Sequence, residues 1–197
     1  MADSIAAMID PLLASPAGLP TLAAWACAPR LHLPALLRFL GVQRHGGRAG
    51  PALRTPPAAE LRIATYKARD PSDFWRRWHI SSSSVLRDYL YIPMGGSRDG
   101  EVKTHRNIFI TMLLGGLWHG AHWTFVAWGG YHALLLSLHR VFSKSWSRLP
   151  VAFQVTTTFL LAVIGWVLFR AESFGRARDQ LVAMFHWRAG EPPSLWL

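Results

Sequence analysis

Residues 113 to 139 read Leu113-Leu-Gly-Gly-Leu-Trp-His119-Gly-Ala-His-Trp-Thr-Phe-Val-Ala-Trp-Gly-Gly-Tyr-His132-Ala-Leu-Leu-Leu-Ser-Leu-His139. Four histidines and three tryptophans fall in this stretch, which holds no Asp, Glu, Lys or Arg. Apolar surroundings of this density are those of a membrane segment, where an ionisable side chain is costly and marks a working site by default. Imidazole also gives and takes a proton near pH 7 without a large pKa shift. Proton chemistry is therefore expected here.

Working outward, Ile108 to Leu117 is too short to cross a bilayer core, which takes about 20 helical residues. Ala121 to Leu138 is long enough, and so is the uncharged run Val151 to Phe169. Trp118-His119-Gly120 separates the first two, with Gly115 and Gly116 just before it. A helix broken at membrane depth is tolerated only where it is buried in protein or lines a cavity. A re-entrant or broken helix with His119 at the break is expected. Upstream, Pro71 and Ser72 start a helix with Asp73 near its positive end. Phe74, Trp75, Trp78, Val85, Leu86, Tyr89 and Leu90 share one broad face, while Arg76, Arg77, Ser84, Arg87 and Asp88 fill the other. Such a helix lies in the membrane interface. Pro93 ends it, and Met94 to Gly100 is a glycine-rich turn without the spacing of a phosphate loop. Ser173 to Phe185 makes a last amphipathic helix, with Phe174, Leu181 and Phe185 on one side. The fold class is an all-α membrane protein: an interfacial amphipathic helix, a broken or re-entrant helix, two transmembrane helices and a C-terminal amphipathic helix.

Residues 1–60 are rich in Ala, Leu, Pro and Gly, and their prolines limit any helix to a few turns. Short interfacial helices within Leu19 to Leu40 and a basic linker from Gln43 to Pro57 are expected. The segment carries no motif and is left unassigned, with little order expected of it. Residues 61–188 form the membrane domain, and 189–197 a tail. Over the whole chain 51% of residues are hydrophobic, 16% are charged and ten are tryptophan. The 21 basic residues exceed the 11 acidic ones, but they flank the apolar stretches instead of forming one patch. That distribution favours lipid head groups over nucleic acid. Basic residues sit on every loop, so they choose no orientation. Cys27 is the only cysteine, which excludes an intramolecular disulfide framework. Asp3 and Asp10, with no early Lys or Arg, argue against a cleavable leader.

His119 leads the candidates. It acts as a general base on a hydroxyl, or it is satisfied by a carbonyl freed at the break. His79 faces inward with Trp75 to support the site, or snorkels toward the head groups. His132 lies several turns from the break and suits a supporting role. Arg76 and Arg77 hold an anionic substrate such as phosphopantetheine, or form a solvated helix side. Ser81 to Ser84 lack the frame of a nucleophile elbow. His32, His45, His105, His122, His139 and His186 read as packing, interfacial or loop residues. A remote alternative is haem or metal ligation by His119 and His132, which lie 13 residues apart.

The motifs resemble a family. Asp73-Phe-Trp-Arg-Arg-Trp-His-Ile-Ser and Leu86-Arg-Asp-Tyr-Leu-Tyr-Ile-Pro-Met-Gly-Gly-Ser-Arg98 are similar to segments of the membrane-bound O-acyltransferases. So are Arg106-Asn-Ile-Phe-Ile-Thr-Met-Leu-Leu-Gly-Gly-Leu-Trp-His-Gly-Ala121, Trp123-Thr-Phe-Val-Ala-Trp-Gly-Gly-Tyr-His132 and Gly165-Trp-Val-Leu-Phe-Arg-Ala-Glu172. The resemblance runs from about Tyr66 to Phe185 and is closest to the bacterial branch that includes the alginate O-acetylation protein. It implies acyl transfer, most often of acetyl, to a hydroxyl of an exported polysaccharide. The donor implied is a thioester, acyl-CoA or an acyl carrier protein, with no bound cofactor or metal. His119 takes the position of the family's catalytic histidine, and His132 and His79 those of its further histidines. Trp118, Arg76 and Arg77 then fall on substrate-binding ground. The implied setting is a multi-pass protein of the bacterial inner membrane, with lipid, the polymer and other acetylation or export proteins as partners. The chain looks like the C-terminal portion of a longer body. A non-catalytic membrane element is the alternative to an enzyme.

Overall fold

A computed structural model describes Thr21, Trp25 and residues 65–186. Apart from those two positions, the expectations for residues 1–60 and for the tail at 189–197 lie outside the described residues. Every regular element among the described residues is helical: a short 3-10 turn at Thr65–Lys67, then α1 (Pro71–Arg77), α2 (Ile80–Leu86), α3 (Glu101–Trp118), α4 (Trp123–Trp146), α5 (Val151–Arg170) and α6 (Phe174–Phe185). Two compact units emerge. One falls within Ala59–Gly165, and the other takes in Thr21, Trp25 and the chain from Trp166 onward.

In the larger unit the expected interfacial helix starts at Pro71, but its cap is Asp70. The Asp70 carboxylate accepts the Asp73 N–H at 2.7 Å. The helix is not continuous. It stops at Arg77 and restarts at Ile80, and Arg87–Tyr91 forms a π-helical turn. His79 sits in the break with φ 45° and ψ 49°, the one non-glycine residue of positive φ among those described. A left-handed non-glycine residue costs about 1 kcal/mol or more. The four serines that follow explain why a helix yields here, because serine hydroxyls compete for backbone groups. The Ser83 hydroxyl donates to the Trp78 carbonyl at 3.0 Å, across the gap.

α3 and α4 form an antiparallel hairpin. The break expected at Trp118-His119-Gly120 is where α3 ends and α4 follows from Trp123, while Gly115 and Gly116 lie within unbroken helix. The glycines serve close approach instead. A Cβ on Gly116 would overlap the Phe125 carbonyl, and one on Gly129 would overlap the carbonyl of Met112. Small residues that let two backbones touch are the usual device where apolar burial cannot drive helix pairing. At the far end of the hairpin Arg140 grips Glu101 through two bonds of 2.7 and 3.0 Å. Between these ends Asn107, 0% exposed, donates both amide protons to the carbonyls of Met94 and Gly96 at 3.0 Å each. The glycine-rich turn is thereby fixed to α3.

α5 joins this unit through the Tyr131 hydroxyl, which donates to the Leu161 carbonyl at 2.9 Å. The Gln154 amide ties the α4–α5 turn by donating to the Trp146 and Leu149 carbonyls at 3.1 and 3.0 Å. Two transmembrane helices were expected. Among the described residues only α5, 20 residues long, is apolar and long enough to cross a membrane. α4 has 24 residues, but His132, His139, Arg140 and Lys144 dilute its apolar character.

In the smaller unit Ser173 caps α6 by accepting the Arg176 N–H at 3.3 Å. The face α6 buries is Ala177, Gln180, Ala183 and Met184. Phe174 and Phe185, read as sharing one side of this helix, are both exposed. Small side chains allow close packing, which leaves the bulky rings outside. Phe185 still meets Trp25 edge-on at 5.4 Å.

Candidate active site

The α3–α4 hairpin and the α1–α2 break bring the three predicted histidines into one aromatic cluster. His119 caps the C-terminus of α3, its N–H bonded to the Gly116 carbonyl at 3.1 Å, and its side chain is half-buried. The ring of His79 lies 6.4 Å from that of His119, centroid to centroid. His132 does not reach His119 directly. Trp128 stands between them, edge-on to His119 at 5.5 Å and to His132 at 5.0 Å. This geometry disfavours joint ligation of one ion by His119 and His132. Among the described residues no three His, Cys, Asp or Glu side chains gather as a metal site requires.

His132 is 2% exposed and wedged between rings. Phe74 stacks on it at 5.9 Å and 7°, and Trp75 meets it edge-on at 5.2 Å. Its Nε2 is buried without a hydrogen-bond partner. A Cβ on Gly165 of α5 would lie 2.8 Å from that nitrogen, so α5 closes over the ring. Trp128, Trp75, Phe74 and Gly165 were not singled out as site residues from the sequence. Trp128 was signalled by its place four residues before His132, one helical turn away on the same face.

Trp118 is 73% exposed and meets His119 edge-on at 5.2 Å. It borders the site from outside. Arg76 and Arg77 are tied within their own helix. Both turn to Asp73, Arg77 Nε at 2.9 Å and Arg76 Nη2 at 3.4 Å. Asp73 also accepts the Arg69 N–H at 3.1 Å. Burial raises the Asp73 carboxyl pKa, but the Arg77 hydrogen bond, the Arg69 N–H, the Arg77 charge and Arg76 together carry it below the usual carboxylate value. The arginines thus lock the start of α1. Burial, with a smaller contribution from His119, lowers the His79 pKa from 6.5 to about 4, so this imidazole is neutral at pH 7. A neutral ring beside His119 can accept a hydrogen bond or position its neighbour.

The profile of the membrane-bound O-acyltransferase family matches residues 58–170, more than half of the chain. The chain belongs to this family. His79, His119 and His132 all lie within the matched segment. The probable alginate O-acetylase AlgI of Pseudomonas syringae pv. tomato is 48% identical over 132 residues, which cover 64% of this chain and 25% of that protein. The peptidoglycan O-acetyltransferase of Helicobacter pylori is 43% identical over 123 residues, or 60% of this chain and 23% of the relative. The teichoic acid D-alanyltransferase of Bacillus subtilis is 26% identical over 122 residues, covering 54% and 31%. The chain thus spans about a quarter of the length of the first two relatives.

Proposed function

We propose that this chain carries the histidine-bearing part of a bacterial inner-membrane O-acyltransferase. It transfers acetyl from a thioester, acyl-CoA or an acyl carrier protein, to a hydroxyl of an exported polysaccharide. The observation that carries this reading is His119 at the α3–α4 break, half-buried and bordered by His79 on one side and exposed Trp118 on the other. A general base needs that partial access. The relatives named for acetylation of alginate and peptidoglycan support the acceptor class.

The neutral His119 ring removes the proton of the sugar hydroxyl while its oxygen bonds to the thioester carbonyl carbon. Collapse of the tetrahedral adduct breaks the C–S bond, and the imidazolium returns its proton to the departing thiolate. His79 positions the His119 ring, and His132 acts on it through Trp128. Trp118 offers its indole face to the sugar. Other acetylation or export proteins complete the assembly in the membrane.

Membranes holding this chain, supplied with labelled acetyl thioester and acceptor polymer, provide the test. His119→Ala is expected to lower transfer by about 10²- to 10⁴-fold with insertion unchanged. Full transfer by this variant would remove His119 from the mechanism. A chain that inserts but never labels the polymer, donor supplied, would leave the non-catalytic reading.

A further inference from the structure

A cavity of about 700 Å³ lies in the larger unit, apart from His119, between α1, α2, the π turn, α3 and α4. That size falls within the usual range for sites taking one small organic ligand. Its floor is buried and mostly apolar: Thr111 and Met112 are each 7% exposed, with Ile108 and Leu136 above them. Arg76, Arg87 and Arg140 stand exposed at its rim.

Two of the lining residues present carbon to the cavity and keep their polar atoms sealed from it. Trp75 Nε1 and Thr111 Oγ1 are both buried without a hydrogen-bond partner. The rim also carries surplus positive charge. Arg87 pairs with Asp88 and Arg140 with Glu101, but Asp73 is shared by Arg77 and, at the longer 3.4 Å, Arg76.

An anion at the rim and an alkyl chain at the floor describe one molecule. We propose that this cavity binds an anionic glycerophospholipid, its phosphate at Arg76 and one acyl chain against Met112 and Leu136. The site is a lipid seat beside the histidine cluster, because Trp75 both lines the cavity and touches the His132 ring.

The full chain, reconstituted in phosphatidylcholine vesicles containing a few mole per cent of phosphatidylglycerol with a photoreactive diazirine in its acyl chain, tests this. Adducts mapped by peptide mass spectrometry are expected to concentrate between Ile108 and Met112 and at Leu136. Ile108→Trp fills the cavity and is expected to lower the adduct yield at least fivefold. Leu136→Phe does the same job on the opposite wall if Ile108→Trp fails to insert. Arg76→Gln is expected to abolish the preference for photoreactive phosphatidylglycerol over photoreactive phosphatidylcholine. Labelling spread evenly along α5, or a yield unchanged by the cavity-filling variant that inserts, would overturn the assignment. So would loss of the adducts when soluble acetyl-CoA is added, because the cavity would then belong to the acyl donor. None of these readouts depends on acetyl transfer.

Discussion

Asn107 on α3 and His132 on α4 are both shut away from solvent, at 0% and 2% exposure, yet their polar atoms fare differently. Both amide protons of Asn107 find carbonyls. The Nε2 of His132 finds none, and Thr124 and Ser137 on the same helix also bury hydroxyls without partners. In water-free surroundings a paired polar group holds a fold, whereas an unpaired one costs stability unless function requires it. The Asn107 region is therefore built to hold the glycine-rich turn. Under the proposed function the His132 region is built around a site, and the tight α3–α4 crossing carries its cost.

If that division is right, the largest loss of stability follows from forcing α3 and α4 apart. Gly129→Ala would drive a methyl group into the Met112 carbonyl, where only backbone can yield, and is expected to cost about 3 kcal/mol or more. Gly130→Ala is its control: the nearest atom to an added Cβ is a Leu113 methyl at 3.6 Å, an ordinary contact. That variant is expected to gain roughly 0.5 kcal/mol from helix propensity. Thermal unfolding of the two proteins in detergent checks the pair, and equal melting points would refute the interlock. Next in size is Asn107→Ala, expected to cost about 2 kcal/mol by stranding the Met94 and Gly96 carbonyls. Its signature is local. Amide exchange across residues 94–100 should rise well before that of α4, and uniform exchange would show that Asn107 does not pin the turn.

Much of this was legible in the sequence, and the exceptions have physical reasons. His119 at a break was readable because apolar character is interrupted there by Trp118-His119-Gly120. Gly115 and Gly116 were read only as neighbours of that break. The neighbours that make them contact surfaces, Phe125 and Gly129 for Gly116 and Leu86 for Gly115, lie in other helices and become visible only in the fold. A helical wheel carried through Trp78 and His79 hid the turn that swings His79 to His119, although Ser81 to Ser84 were its warning. The grip of Arg76 and Arg77 on Asp73 follows from i,i+3 and i,i+4 spacing. Asn107 stood in a quoted motif, but the carbonyls it serves lie 11 and 13 residues away in an irregular turn.

The smallest expected effect on stability is the most informative about the comparison. His132→Phe keeps a flat ring between Phe74 and Trp75 and removes a buried nitrogen that has no partner. Replacing an unsatisfied polar atom by an apolar one of similar shape is neutral or stabilising, so the unfolding free energy should stay within about 1 kcal/mol of the parent or rise. Acetyl transfer should fall at the same time if His132 acts through Trp128 on His119. A residue that served only packing would move neither quantity, and one held by a hydrogen bond would lower stability by 2 kcal/mol or so. Stability kept and transfer lost is the outcome that separates a site residue from a scaffold residue, and Asn107→Ala should give the reverse order of effects on the turn and on the ring cluster.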